Sequence, residues 1–187
     1  MDTLRKHALM LAAFVWGVAE ATLFFIVPDV VLSYIGVRQG PRAAANASLI
    51  AAAGAATGGV IMYLWSQSDP AAAHAAVAAV PAISADMIAR AQDAMRGDWF
   101  GATLFGPLTS TPYKVYAILA PQNGVPLWSF ALASIIARLP RFLGVGIGSA
   151  LIAAYLRRRK LPERTILGIL AGCWIAFYVL FFSLMPG

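Results

Sequence analysis

AEATLFFIVPDVVLSYIGVR, residues 19–38, is apolar enough to enter a bilayer, yet it carries two carboxylates, Glu20 and Asp29, with Pro28 directly before the second. A carboxylate at membrane depth is costly and normally marks a site or a proton path. Proline removes a backbone donor and breaks the helix at that point. Irregular backbone is tolerated at that depth only where protein or a water-filled cavity covers it. The stretch therefore predicts a broken, re-entrant hairpin, and the whole apolar run, residues 7–37, is its extent. That run is also longer than the ~20 residues a simple span needs.

Composition sets the class around it. The chain has 187 residues, 60% hydrophobic and 12% charged, with a mean hydropathy of +0.75. Such a balance belongs to an all-α polytopic membrane protein, with a single membrane domain across 1–187. The net charge of +6 sits in short loops, and no basic stripe interleaved with aromatics points to nucleic acid. A lone Cys173 in an apolar run excludes an internal disulfide and a Cys-based metal site. No metal or cofactor is expected. The basic start, the apolar run and Ala19-Glu20-Ala21 have the form of a cleavable signal, but hydrophobicity continues past them to Val37 and argues against cleavage.

Further along, residues 43–65 read as a span rich in Ala and Gly, with Gly54 and Gly58 at small-xxx-small spacing. Residues 66–98 form a loop outside the membrane. Within it, residues 84–96 predict an amphipathic helix on the membrane surface, capped by Ser84, with Met87, Ile88, Ala91 and Met95 on one side. Residues 99–121 form a second interrupted hairpin, and 125–156 and 161–185 are spans.

Charge placement supports this topology. With the N-terminus cytoplasmic and both hairpins re-entrant, nine basic residues lie inside and two outside, while Lys114, Arg138 and Arg141 lie at membrane depth. Full crossings would instead move Arg38 and Arg42 outside, against the positive-inside rule. The hairpins also share ATLF, at 21–24 and 102–105, followed by a proline (Pro28, Pro112) and an ionisable residue (Asp29, Lys114). Interrupted segments in matching positions of an inverted repeat point to a binding site between them.

Two acids and three bases thus sit in apolar surroundings, tolerable only in mutual contact. Thr109, Ser110 and Thr111 offer cap hydroxyls before Pro112 at the first helical position, and a helix N-terminus suits an anion. Lys114 adds a point charge. Arg138 and Arg141, three apart, share a helix face, and guanidinium binds phosphate bidentately. Two readings stand together: a phosphate pocket with Glu20 and Asp29 coupled to protons, or arginines that only pair with those acids. No histidine lies at membrane depth and no nucleophile–base pair is evident, so an enzyme is not expected. GVGIGS at 144–149 has no strand before it and does not predict a nucleotide loop.

The Pro-Asp hairpin, FGPLTSTPYKVYAILA (105–120) and FALASIIARLPRFLGVGIGSAL (130–151) resemble the DedA/VTT (SNARE-associated Golgi protein) superfamily. The resemblance is greatest to its small bacterial YqaA-like branch, through TPYK and ASIIARLPRF. It implies two opposed re-entrant hairpins, essential membrane acids (Glu20, Asp29) and cations (Lys114, Arg138, Arg141), and location in a bacterial inner membrane. It also implies movement of an anionic, phosphate-bearing lipid between leaflets, undecaprenyl phosphate or a phospholipid. The chain departs from the commoner pattern of the superfamily at Pro107, where an arginine would stand. A proton-linked transporter of small solutes is the alternative, and a homo-oligomer is compatible with either.

Overall fold

The computed structural model describes residues 2–106 and 111–184. Among them lie eight α-helices and no strand: α1 (Asp2–Ala21), α2 (Asp29–Gln39), α3 (Pro41–Ser68), α4 (Pro70–Ala78), α5 (Ala85–Phe105), α6 (Tyr113–Leu119), α7 (Leu127–Arg158) and α8 (Glu163–Leu184). Three of them, α3, α7 and α8, are long and apolar enough to cross a membrane. They fall where the expected spans 43–65, 125–156 and 161–185 lie.

Small residues set how α1 and α3 meet. A Cβ on Gly54 would strike the backbone of Phe14, one on Gly58 the carbonyl of Val18, and one on Gly17 the carbonyl of Ala51. Close backbone approach of this kind is what such glycines permit. The matched levels, 14 with 54 and 18 with 58, mean that α1 and α3 run the same way. In contrast α3 and α7 run oppositely. Gly146 lies against Ala44, while the Tyr63 hydroxyl donates to the Val125 carbonyl at 2.7 Å. Helix α2 follows the direction of α7: Asp29 meets Arg141 and Gly36 packs on Gly146. So α1 and α2 oppose each other, and residues 2–39 begin and end beside the start of α3. Gly40, at φ 87°, makes the turn there, a conformation open to glycine at no steric cost. Pro41 then opens α3 at a position where its missing N–H costs nothing.

The second interrupted stretch folds back from the other end. Asp98 leaves helical geometry (φ −150°, ψ 91°) and kinks α5. Its carboxylate caps the continuation, accepting from the Gly101 N–H at 3.0 Å. Helix α6 runs alongside α3, with Tyr113 against Gly59 and the Ser66 hydroxyl donating to the Ile118 carbonyl at 2.6 Å. Gln92 on α5 reaches Asn123 just beyond α6. This fold-back thus starts and ends beside the far end of α3. Helix α8 lies on α2 in the opposite sense, with the Trp174 indole donating to Ser33 and the Val27 N–H donating to the Tyr178 hydroxyl. Of its residues only Ile166 is buried.

One expectation needs correcting. The helix predicted at 84–96 is present and capped by Ser84, which accepts from the Met87 N–H, but it continues into the second fold-back and does not lie on a membrane surface by its apolar stripe. Ile88, Ala91 and Met95 are buried in the main core with residues of α3, α6 and α7, and Met87 is buried beside them in sequence. The periodicity marked a buried face; it carried no information on whether lipid or protein would cover it. The alanine-rich stretch after Ser68 is a short helix, α4, capped by Asp69 on the Ala72 N–H, and Ala73 and Val77 face the core.

Candidate functional site

The irregular residues 22–28 between α1 and α2 carry backbone groups that no helix satisfies. Three side chains from elsewhere meet them. The Trp16 indole donates to the Ile26 carbonyl at 2.9 Å, the Tyr178 hydroxyl accepts from the Val27 N–H at 3.0 Å, and the Lys114 ammonium donates to the Phe24 carbonyl at 2.6 Å. Buried backbone polar groups demand such partners. The tip is therefore held by α1, α6 and α8 together.

Beneath it lie two ion pairs. Glu20, one residue before the end of α1, pairs with Arg138 in the first half of α7. Both are buried, with Arg138 only 2% exposed. The Arg138 guanidinium lies over the ring of Tyr113, 4.8 Å from its centroid, and near Phe142 at 5.6 Å. Tyr113 is itself fixed by a hydrogen bond with Ser134 and by stacking on Phe130 at 5.8 Å. Asp29, in the first turn of α2, accepts from Arg141 at 2.7 Å. Its side chain is buried, whereas that of Arg141 is 32% exposed. Two buried polar atoms, Asp29 Oδ1 and Arg138 Nε, have no hydrogen-bond partner among the described residues.

A cavity of about 180 Å3 borders this cluster, lined by Glu20, Thr111, Lys114, Arg138 and Arg141, with Tyr178 of α8 on its wall. Of the expected residues, Glu20, Asp29, Thr111, Lys114, Arg138 and Arg141 thus come together here. Each acid meets one arginine, while Lys114 pairs with backbone. Pro28 precedes α2 and stands at its N-cap position. Pro112 also occupies the N-cap, of α6, not the expected first helical position, and among the described residues no side-chain cap hydrogen bond is made there. Extended backbone (ψ 139°) at Pro112 defers the helix start to Tyr113. Thr109 and Ser110 lie outside the described residues. Thr111 is buried beside the cavity. Helix α6 has only seven residues, so the positive character of the site comes from its side chains. GVGIGS serves packing: Gly146 admits α2 and α3 to α7.

Sequence reasoning passed over Tyr113 and Ser134, which position Arg138, and Trp16 and Tyr178, which hold the backbone of the tip. Tyr113 was within reach, since it stands between Pro112 and Lys114. Nothing in the sequence singles out Tyr178 among the aromatics of α8. Pro140, between the two arginines, sits inside α7 without ending it. It removes one N–H and leaves the Ile136 carbonyl without its helical donor.

Searches of protein-family models, of curated proteins and of solved structures each return no match to this chain.

Proposed function

We propose that this protein is a membrane transporter that moves an anionic, phosphate-bearing lipid between leaflets, with α1–α2 and α5–α6 as opposed re-entrant hairpins of an inverted repeat. The observation that carries the reading is one cavity bordered by Lys114, Arg138 and Arg141 where the two fold-backs meet. These cations hold unused capacity. A guanidinium has five donors and an ammonium three. Arg141 meets Asp29 through Nη2, and Lys114 spends one bond on Phe24. A phosphate can join Arg141 without first breaking its ion pair. Protonation of Asp29 or Glu20 would weaken its hold on the arginine, so proton uptake and phosphate binding are thermodynamically linked. The resemblance to DedA/VTT membrane proteins, a bacterial inner-membrane location and a cytoplasmic N-terminus belong to the same proposal. The three apolar helices are its common ground.

Topology is tested by labelling. In a Cys173→Ser background, single cysteines at Gln39 and Asn123 are expected to react with an impermeant maleimide from opposite faces of the membrane. Reaction from the same face means that residues 99–121 cross the membrane, and reaction of Gln39 from the outer face means that residues 7–37 cross; either result makes the proposed topology wrong.

Function is tested in liposomes. A fluorescent polyprenyl phosphate should change leaflet when the protein is present, and Arg141→Ala should slow it by about tenfold or more, the scale of a lost charge-assisted hydrogen bond. A soluble phosphate ester that crosses while the lipid stays put would establish the small-solute alternative. Lipid exchange indifferent to Arg141 would remove the cavity from the mechanism.

A further inference from the structure

The charged cavity does not end at its polar wall. Phe25 and Tyr178 border both it and a second space of about 470 Å3 between the first tip and α8. Trp16, Val30, Trp174 and Ile175 in turn border both that space and a third of about 580 Å3, which reaches Leu9 on α1 and Leu167 on α8. The three spaces adjoin in series, each sharing these side chains with the next, with α2 as floor and α1 and α8 as walls of this path. From Tyr178 down to Leu167 the path covers roughly 16 Å of helix rise, close to the ~15 Å of one leaflet's hydrocarbon.

Resting on the transporter reading above, we infer that this groove holds the hydrocarbon chain of the lipid whose anionic group occupies the charged cavity. Three observations favour that occupant. First, at about 180 Å3 the cavity falls below the ~300–1,000 Å3 of sites that enclose a whole small molecule. It accommodates a headgroup, and the remainder must lie elsewhere. Second, the groove offers nothing for a polar ligand to bind through its two tryptophans. The Trp16 indole is committed to the Ile26 carbonyl and the Trp174 indole to Ser33, so both present only ring carbon to the groove. Third, charge and apolar surface are arranged end to end, cations at one end and Leu, Val and Trp along the rest, which is the arrangement of an anionic amphiphile.

The geometry also fixes how the lipid lies. The cavity is bordered by residues 80–83, in the loop between α4 and α5. The groove leads away from them, toward the end where Arg38 and Arg157 meet Glu163. A chain in this groove points toward the arginine-rich end with its headgroup toward the 80–83 loop. That is the orientation of a lipid drawn in from the leaflet on the loop side.

A photocrosslinking experiment with the full chain in nanodiscs tests this. The probe is a single-chain alkyl phosphate with a diazirine near the chain terminus; its control is the corresponding alkyl alcohol. Peptide mapping should place the phosphate probe on α1 and α8 near Leu9 and Leu167, with labelling there about tenfold lower for the alcohol. Because this contrast needs no substitution, it does not depend on a variant folding. Ala171→Trp, which fills the groove away from the cations, should lower that labelling while leaving protection of the cavity by inorganic phosphate unchanged. Phosphate-dependent labelling confined to other helices would overturn the groove and leave the charged site standing. Equal labelling by phosphate and alcohol would mean that ordinary bilayer lipid fills the groove, and the inference fails. No phosphate dependence anywhere would overturn the site reading as well.

Discussion

Arg138→Met is expected to destabilise the protein by about 3–5 kcal/mol, because it leaves Glu20 buried without its countercharge. The same principle predicts that the damage is repairable. Glu20→Met combined with Arg138→Met replaces the pair by apolar groups of similar length, and such replacements are often neutral or stabilising. The double variant should therefore recover most of the lost stability. It should recover none of the lipid exchange, since Glu20 and Arg138, two of the charged groups that line the cavity, are both gone. Unfolding in detergent and flux in liposomes separate the two effects. A single variant as stable as the parent would mean that the pair does not anchor α1 to α7. A double variant no better than the single one would shift the loss to packing, for which the Arg138 contacts with Tyr113 and Phe142 are the obvious source.

Gly54→Leu should be nearly as damaging by a different route. The first atom of the new side chain meets the Phe14 backbone, which cannot rotate away as a side chain would. Helix α1 has to move off α3, and overpacking of that kind costs about 1–3 kcal/mol, occasionally more. The displacement also carries Glu20 away from Arg138, so loss of stability and loss of transport should come together. Gly148→Leu and Gly168→Leu are controls, because a Cβ at either position meets nothing within 4 Å. If Gly54→Leu unfolds at the same temperature as these two, the close α1–α3 crossing is wrong.

Much of this was readable along the chain. Gly54 and Gly58 stand four apart in an alanine-rich run, and the reason for that spacing, two backbones in contact, is what the helices display. The breaks at Pro28 and Pro112 were equally plain, since proline acts on its own residue and its nearest neighbours. The apolar stripe of α5 was visible too, but its partner was not: the same pattern serves against lipid or against protein, and here protein covers it. Tyr178 escaped notice for a related reason. Its role is to satisfy a backbone N–H far away in sequence, and no local pattern encodes that need.

By itself the sequence determined the membrane class, three apolar helices, two interrupted segments and five ionisable residues in apolar surroundings. Each of these is a property of neighbouring residues: an apolar run, a missing donor, a charge where solvation is poor. Only the tertiary structure decided that Glu20 belongs to Arg138, Asp29 to Arg141 and Lys114 to the Phe24 carbonyl. Two acids and two arginines admit more than one pairing, and composition treats them alike. The choice was made by helix register, α1 laid against α3 and α2 against α7 through close contacts at glycines, and register is a relation between surfaces that no single stretch contains.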